Sequence, residues 1–237
     1  VKVAIAGDWH GNTKYALKAV DYSYDNDAEL IVHVGDFSFD FQDSFLQPLN
    51  AKLKEFDLNL LFCRGNHDNP EYLSSLPISS GTAQVKSNII YAPNNYRLTS
   101  NNRSVLFLGG AVSVDRSFRT PGKDWWSGET ISMQEAEQAI SDGYADVMIC
   151  HDVPAGVNIK TIQNNPMGWP AHALREAEAH RELLRAVVDS VKPALILAGH
   201  YHSRESHLLK GKDYSTQVEI LDCDQTPMDH NITFLEI

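Results

Sequence analysis

Short apolar runs rich in Val, Ile and Leu recur along the chain, and they limit what it can fold into. They occupy residues 1–6, 30–34, 58–62, 88–92, 104–108, 145–149, 194–198, 218–221 and 232–237. Each is bounded by Gly, Asp, Asn or Pro, as strands are. Between them lie stretches with helical spacing of apolar residues. Tyr15, Ala16, Ala19 and Val20 mark a helix over 13–24. Leu46, Leu49, Leu53 and Phe56 mark another over 44–56, with Pro48 expected near its start. Ser132 followed by Glu135 is a capping-box pattern opening a helix over 132–140. The face Leu174, Ala177, Leu184, Val187, Val188 and Val191 predicts the longest helix, over 174–191. Strands alternating with helices predict an α/β chain, with added hairpins in the C-terminal third. No Pro/Gly/Ser-rich linker divides residues 1–237, so one domain is expected.

The balance of residues narrows the class. The chain has 237 residues, 43% of them hydrophobic, enough for a full core without disulfides. Its formal net charge of −11 argues against the broad basic footprint of a duplex-DNA binder. It does not argue against a small anionic substrate held by metal ions, because bound cations reverse the local field. No apolar stretch is long enough to span a membrane. Residues 1–8 hold no signal-type apolar core. The three cysteines, Cys63, Cys150 and Cys223, form no C-x-x-C pair, so buried thiols in a reducing, cytoplasmic setting are expected.

The strand ends carry the chemistry. The first run ends in Gly7-Asp8-Trp9-His10-Gly11 and the second in Gly35-Asp36. The third ends in Gly65-Asn66-His67-Asp68. The run at 145–149 leads into Cys150-His151, and that at 194–198 into Gly199-His200-Tyr201-His202. Ligands of open α/β sheets bind outside the carboxyl ends of the strands, so these groups should meet at one rim. Two carboxylates, an amide and five imidazoles, with no thiolate, form a donor set for Mn, Fe, Zn or Co. That is too many donors for one ion and suits two.

The series D-x-H, G-D, G-N-H-D, His and G-H-x-H, spread over residues 8–202, resembles the calcineurin-like metallophosphoesterase superfamily. The resemblance implies a four-layer α/β/β/α sandwich: two mixed sheets face to face, flanked by helices. It implies one metal on Asp8, His10 and His202, and another on Asn66, His151 and His200, with Asp36 bridging. It implies a metal-bridging hydroxide that attacks phosphorus in line, and His67, as imidazolium, that protonates the leaving alkoxide. Manganese is the first choice of metal. Small superfamily members of this kind act as phosphodiesterases, so a small nucleotide-type substrate is expected first, a phosphomonoester of protein or nucleotide second. An inactive scaffold that keeps the fold is the non-enzymatic alternative, although no ligand position is lost.

Other residues are less specific. Protein phosphatases of the superfamily carry G-D-x-x-D-R-G, whereas this chain reads Gly35-Asp36-Phe37-Ser38-Phe39-Asp40 with no Arg-Gly after it. Asp40, Asp43 and Asp68 are all candidates to orient His67. Two long irregular segments, 115–130 and 152–171, are candidate lids. The first contains Arg116 and Arg119, each able to clamp phosphate, and Trp125 and Trp126, which suit lid packing. Arg64 is expected to brace its loop. His33, His172, His180, His207 and His230 are expected to be structural.

Overall fold

A computed structural model describes residues 1–237 and contains two mixed sheets. The strands are β1 (Lys2–Ala6), β2 (Leu30–His33), β3 (Asn59–Phe62), β4 (Ile78–Ser79), β5 (Thr82–Lys86), β6 (Ile89–Tyr91), β7 (Arg97–Ser100), β8 (Arg103–Leu108), β9 (Val147–Cys150), β10 (Leu195–Ala198), β11 (Glu205–Lys210), β12 (Ser215–Ile220) and β13 (Ile232–Glu236). The first sheet has the order β13-β1-β2-β3-β6-β5-β4, and the second β11-β12-β10-β9-β8-β7. The centre of each sheet is parallel: β1, β2, β3 and β6 in one, β8, β9, β10 and β12 in the other. Antiparallel strands close the edges.

Period-two alternation sorts the side chains into layers. Val3, Ile5, Val32, Leu61, Val105, Phe107, Val147, Ile149 and Leu197 meet between the sheets. Their neighbours in sequence point outward. Ala4, Ala6, Ile31, Leu60 and Phe62 pack under the helices α1 (Thr13–Asp25) and α2 (Asp43–Glu55). On the far side, Leu106, Met148, Ile196 and Ala198 pack under α4 (Met133–Ser141) and α5 (Ala171–Val191). Central strands buried on both faces explain why their runs are apolar without a break. Two short helices, α3 (Pro70–Ser75) and α6 (Met228–Asn231), complete the chain. The architecture is the four-layer sandwich that the motif series implies.

Two sequence expectations are corrected. The helix expected to open near Pro48 begins at Asp43 and carries Pro48 inside it. The carbonyl left without its helical donor belongs to Ser44, which is exposed, so water can satisfy it. Strands β4, β5, β7 and β11 are missing from the apolar runs. They lie toward the sheet edges, where one face is wet and the sequence alternates or turns polar. The segments at 115–130 and 152–171 are largely irregular, as expected, apart from single 3-10 turns at Arg116–Phe118 and Lys160–Ile162, a bridge between Pro121 and Trp125, and Ala171, which opens α5.

Candidate metal centre

Parallel central strands place their carboxyl ends at one rim, and the loops there turn hard. His10, Asp36, His200 and His202 all have left-handed backbones, with φ of 49°, 54°, 70° and 48°. Such conformations are uncommon for residues with a Cβ and collect at functional sites. Glycines keep the space open. A Cβ at Gly65 would run into the Asp36 carboxylate, and one at Gly199 into that of Asp8.

The donor atoms of Asp8, His10, Asp36 and His202 lie within 4.8 Å of one another. His202 Nε2 is 3.3 Å from Asp8 Oδ2, and His10 Nε2 is 3.6 Å from Asp36 Oδ2. Beside them, His151 Nε2 stands 3.3 Å from Asp36 Oδ1 and 3.0 Å from Asn66 Oδ1. Its other nitrogen donates to the carbonyl of Val34 at 3.0 Å, which turns Nε2 toward the carboxylates. The His200 ring lies 5.1 Å from that of His151, and its backbone N–H donates to Asp8 at 3.0 Å. The seven ligand-type residues are thus brought together, with Asp36 between the two groups.

Without cations this centre is electrostatically awkward. Asp8 and Asp36 are both buried. Burial pushes both carboxyls up, yet the surrounding imidazoles together outweigh it, His202 and His151 for Asp8 and His151, His67 and His10 for Asp36, and keep both below the usual carboxylate range. Burial opposes a charge on His10, but hydrogen bonds to Asp224 and Asp36 push its pKa up to about 10. Two divalent ions would replace those protons as the counter-charge. The oxygen and nitrogen donors, their convergence and the cleared space all fit such a pair.

The profile of the calcineurin-like phosphoesterase family matches residues 1–204. The chain belongs to this family. It is therefore a dinuclear metallophosphoesterase, a hydrolase of phosphoester bonds. No curated protein matches the chain. Among solved structures, a dimetal phosphatase from Danio rerio is similar at 14% identity, with 98% of this chain and 91% of that one covered and a TM-score of 0.61. A protein from Thermus thermophilus is similar at 13% identity, with 94% and 89% covered and a TM-score of 0.54. At such identities the likeness concerns the fold.

At the rim of the phosphoesterase centre, His67 lies with Nε2 3.7 Å from Asp36 Oδ2. The guanidinium of Arg119 spans its ring, with Nη1 2.6 Å from Nδ1 and Nη2 3.0 Å from Nε2. Asp115 holds the other edge of Arg119 through bonds of 2.7 and 2.6 Å. Burial, with Asp36 opposing and Arg119 adding, holds His67 down to about 4. The resting ring is therefore neutral, and the imidazolium expected from the resemblance needs an anion beside it. Phe39 leans on the same ring at 4.8 Å and on that of His10 at 6.1 Å.

Other expected residues lie elsewhere. Arg116 is paired with Glu176 on α5 at 2.6 Å, away from His67. None of the three aspartates considered for His67 bonds to its ring. Asp40 accepts from Gln42, Asp43 pairs with Lys86, and Asp68 accepts the backbone N–H groups of Ser38 and Gly65. Arg64 braces its surroundings as expected, donating to the carbonyls of Gly128, Glu129 and Thr130. Trp126 is buried. His180 is buried against Asp152 at 2.9 Å.

The sequence reading missed the residues behind the ligands. Asp224 Oδ1 is 3.0 Å from His10 Nδ1, and its Oδ2 accepts from Asn12 at 2.6 Å. A carboxylate behind a ligating imidazole fixes its tautomer and raises its basicity. Cys223 stands beside His202, so a thiol does approach the rim. The signal was present: the run at 218–221 also ends in Asp222-Cys223-Asp224, and β12 is parallel to β10.

Proposed function

We propose that the chain is a phosphodiesterase for small nucleotide-type substrates, built as one domain over residues 1–237. Two metals, manganese first, would be held by Asp8, His10 and His202 on one side and by Asn66, His151 and His200 on the other, with Asp36 shared. When bound, they supply Lewis acidity toward the phosphoryl oxygens and activation of water.

The observation that supports a diester is the pairing of Arg119 with Asp115. The cation nearest His67 is already neutralised along one edge. A diester brings one negative charge, a monoester close to two, and a site with a half-spent arginine suits the former. Phe39 adds an apolar wall beside His10 and His67 on which a second ester group or a base can rest.

Arg119 sets N–H donors against both ring nitrogens of His67, an arrangement that suits a neutral ring over a charged one. Nε2 also lies 3.7 Å from Asp36 Oδ2, at the edge of the metal centre. A phosphate anion bound beside the ring would draw a proton onto it, because an opposite charge raises a histidine's pKa. The imidazolium so formed would give that proton to the leaving oxygen as negative charge grows on it. The free Cys63, Cys150 and Cys223 suit a reducing compartment, and we place the protein in the cytoplasm. No helix is long and apolar enough to cross a membrane.

The test compares p-nitrophenyl phosphate with bis-p-nitrophenyl phosphate under added Mn²⁺. Diester cleavage well above monoester cleavage is expected. The reverse ratio would replace the reading with a phosphomonoesterase. Two bound metals with no turnover of any phosphoester would leave only a scaffold.

A further inference from the structure

Asn66 is the one candidate metal ligand with two unlike ends. Its carbonyl oxygen can bind a cation and its NH₂ group cannot, and the two ends have nearly the same shape. Something must decide which end faces the metals. Asn66 Nδ2 donates to Ser113 Oγ at 2.9 Å, while Oδ1 points to His151 Nε2 at 3.0 Å.

Ser113 could accept or donate in that bond, because a hydroxyl does both. Glu129 removes the choice. The Ser113 hydroxyl donates its single proton to Glu129 Oε2 at 2.6 Å, and the Ser113 backbone N–H donates to Oε1 at 2.8 Å. Only lone pairs are then left toward Asn66. A reversed amide would set its carbonyl oxygen against those lone pairs and turn N–H groups on the metals. All three residues are buried, at 2%, 2% and 3% exposure, so bulk water does not relieve a wrong arrangement. The carboxylate is itself anchored: three consecutive carbonyls, those of Gly128, Glu129 and Thr130, accept from Arg64, two residues before Asn66.

We propose that Glu129, acting through Ser113, sets the orientation of the Asn66 amide and thereby the affinity of the second metal. Both are positioning residues, and the proposal rests on the reading of Asn66 as a ligand of that metal. Neither belongs to the motif series. They come from the segment after β8 that also delivers Arg119 to His67.

The test is Mn²⁺ titration by calorimetry, with the spin-coupled signal of a manganese pair read by electron paramagnetic resonance. Asn66→Ala is the reference and should lose one of two sites. Ser113→Ala should keep one site at its normal affinity and weaken the other by roughly 10–100-fold, the usual effect of losing such a partner. The paired signal should fade in parallel. Ser113→Thr, which retains the hydroxyl, should recover most of the loss. Glu129→Gln keeps the volume and lets the hydroxyl proton turn, so it should weaken the same site alone, and it carries the test if Ser113→Ala does not fold. Two normal sites in Ser113→Ala and Glu129→Gln, with one lost in Asn66→Ala, would overturn the relay alone. Two normal sites in Asn66→Ala would remove the ligand reading beneath it. Equal weakening of both sites in Ser113→Ala would mean a general structural role and also overturn the proposal.

Discussion

At the scale of single residues, His10 is held on three sides, by Asp36, Asp224 and the His202 ring. Its raised pKa has a consequence for metal uptake. Below about 10 the metal-free ring carries a proton that a metal must displace. Uptake should therefore release protons, and affinity should rise with pH across the neutral range. Calorimetry in buffers of different ionisation enthalpy measures that release directly, and a proton count of zero would contradict it. Asp224→Ala removes the hydrogen bond behind the ring. It should weaken one metal by about 10–100-fold while the other keeps its affinity, as read by equilibrium dialysis. The candidate ligands are legible in sequence because each follows an apolar run. Asp224 also follows an apolar run, but neither it nor Ser113 or Glu129 belongs to the motif series. Their roles depend on which loops meet in space, and nothing local to Ser113 marks it as the neighbour of Asn66, 47 positions away.

At the scale of elements, capping and burial explain which features could be read. Helix α4 starts where the Ser132–Glu135 box says it should, with both reciprocal bonds formed. Ser132→Ala should lower stability by about 1 kcal/mol and leave phosphoester turnover unchanged. Matched chemical denaturation and rate measurements check both halves, and a loss of rate would show that α4 communicates with the centre. The edge strands escaped notice for the opposite reason. β7 reads Arg-Leu-Thr-Ser and β11 Glu-Ser-His-Leu-Leu-Lys, each with polar residues where one face meets water. Pro48 suits a first turn, so the sequence points to a start of α2 later than Asp43. Here the tertiary contacts of Phe45 and Leu46 extend the helix ahead of it. The segment that follows β8 was legible as a long loop but not as a clasp. Arg119 on His67, Ser113 on Asn66 and Arg64 on three carbonyls make it one unit with the Gly65–Asp68 turn.

At the scale of the whole molecule, the metals should act as fasteners between the sheets. Asp8, His10, Asp36 and Asn66 follow strands of the first sheet, and His151, His200 and His202 follow strands of the second. A ligand at a hundredfold excess over its Kd adds about 2.7 kcal/mol. Two such ions should raise the melting temperature by roughly 10–20 °C in a chain of this size. Scanning calorimetry with Mn²⁺ and then with chelator reads the difference, and equal midpoints would mean that the ions do not bridge the layers. The left-handed backbones at His10, Asp36, His200 and His202 work against this stabilisation. Each costs on the order of 1 kcal/mol that a glycine would not incur. A breeding experiment that rewarded only heat resistance in metal-free medium would therefore tend to erode the centre first, replacing its histidines and aspartates and turning the enzyme into a sturdier, silent shell.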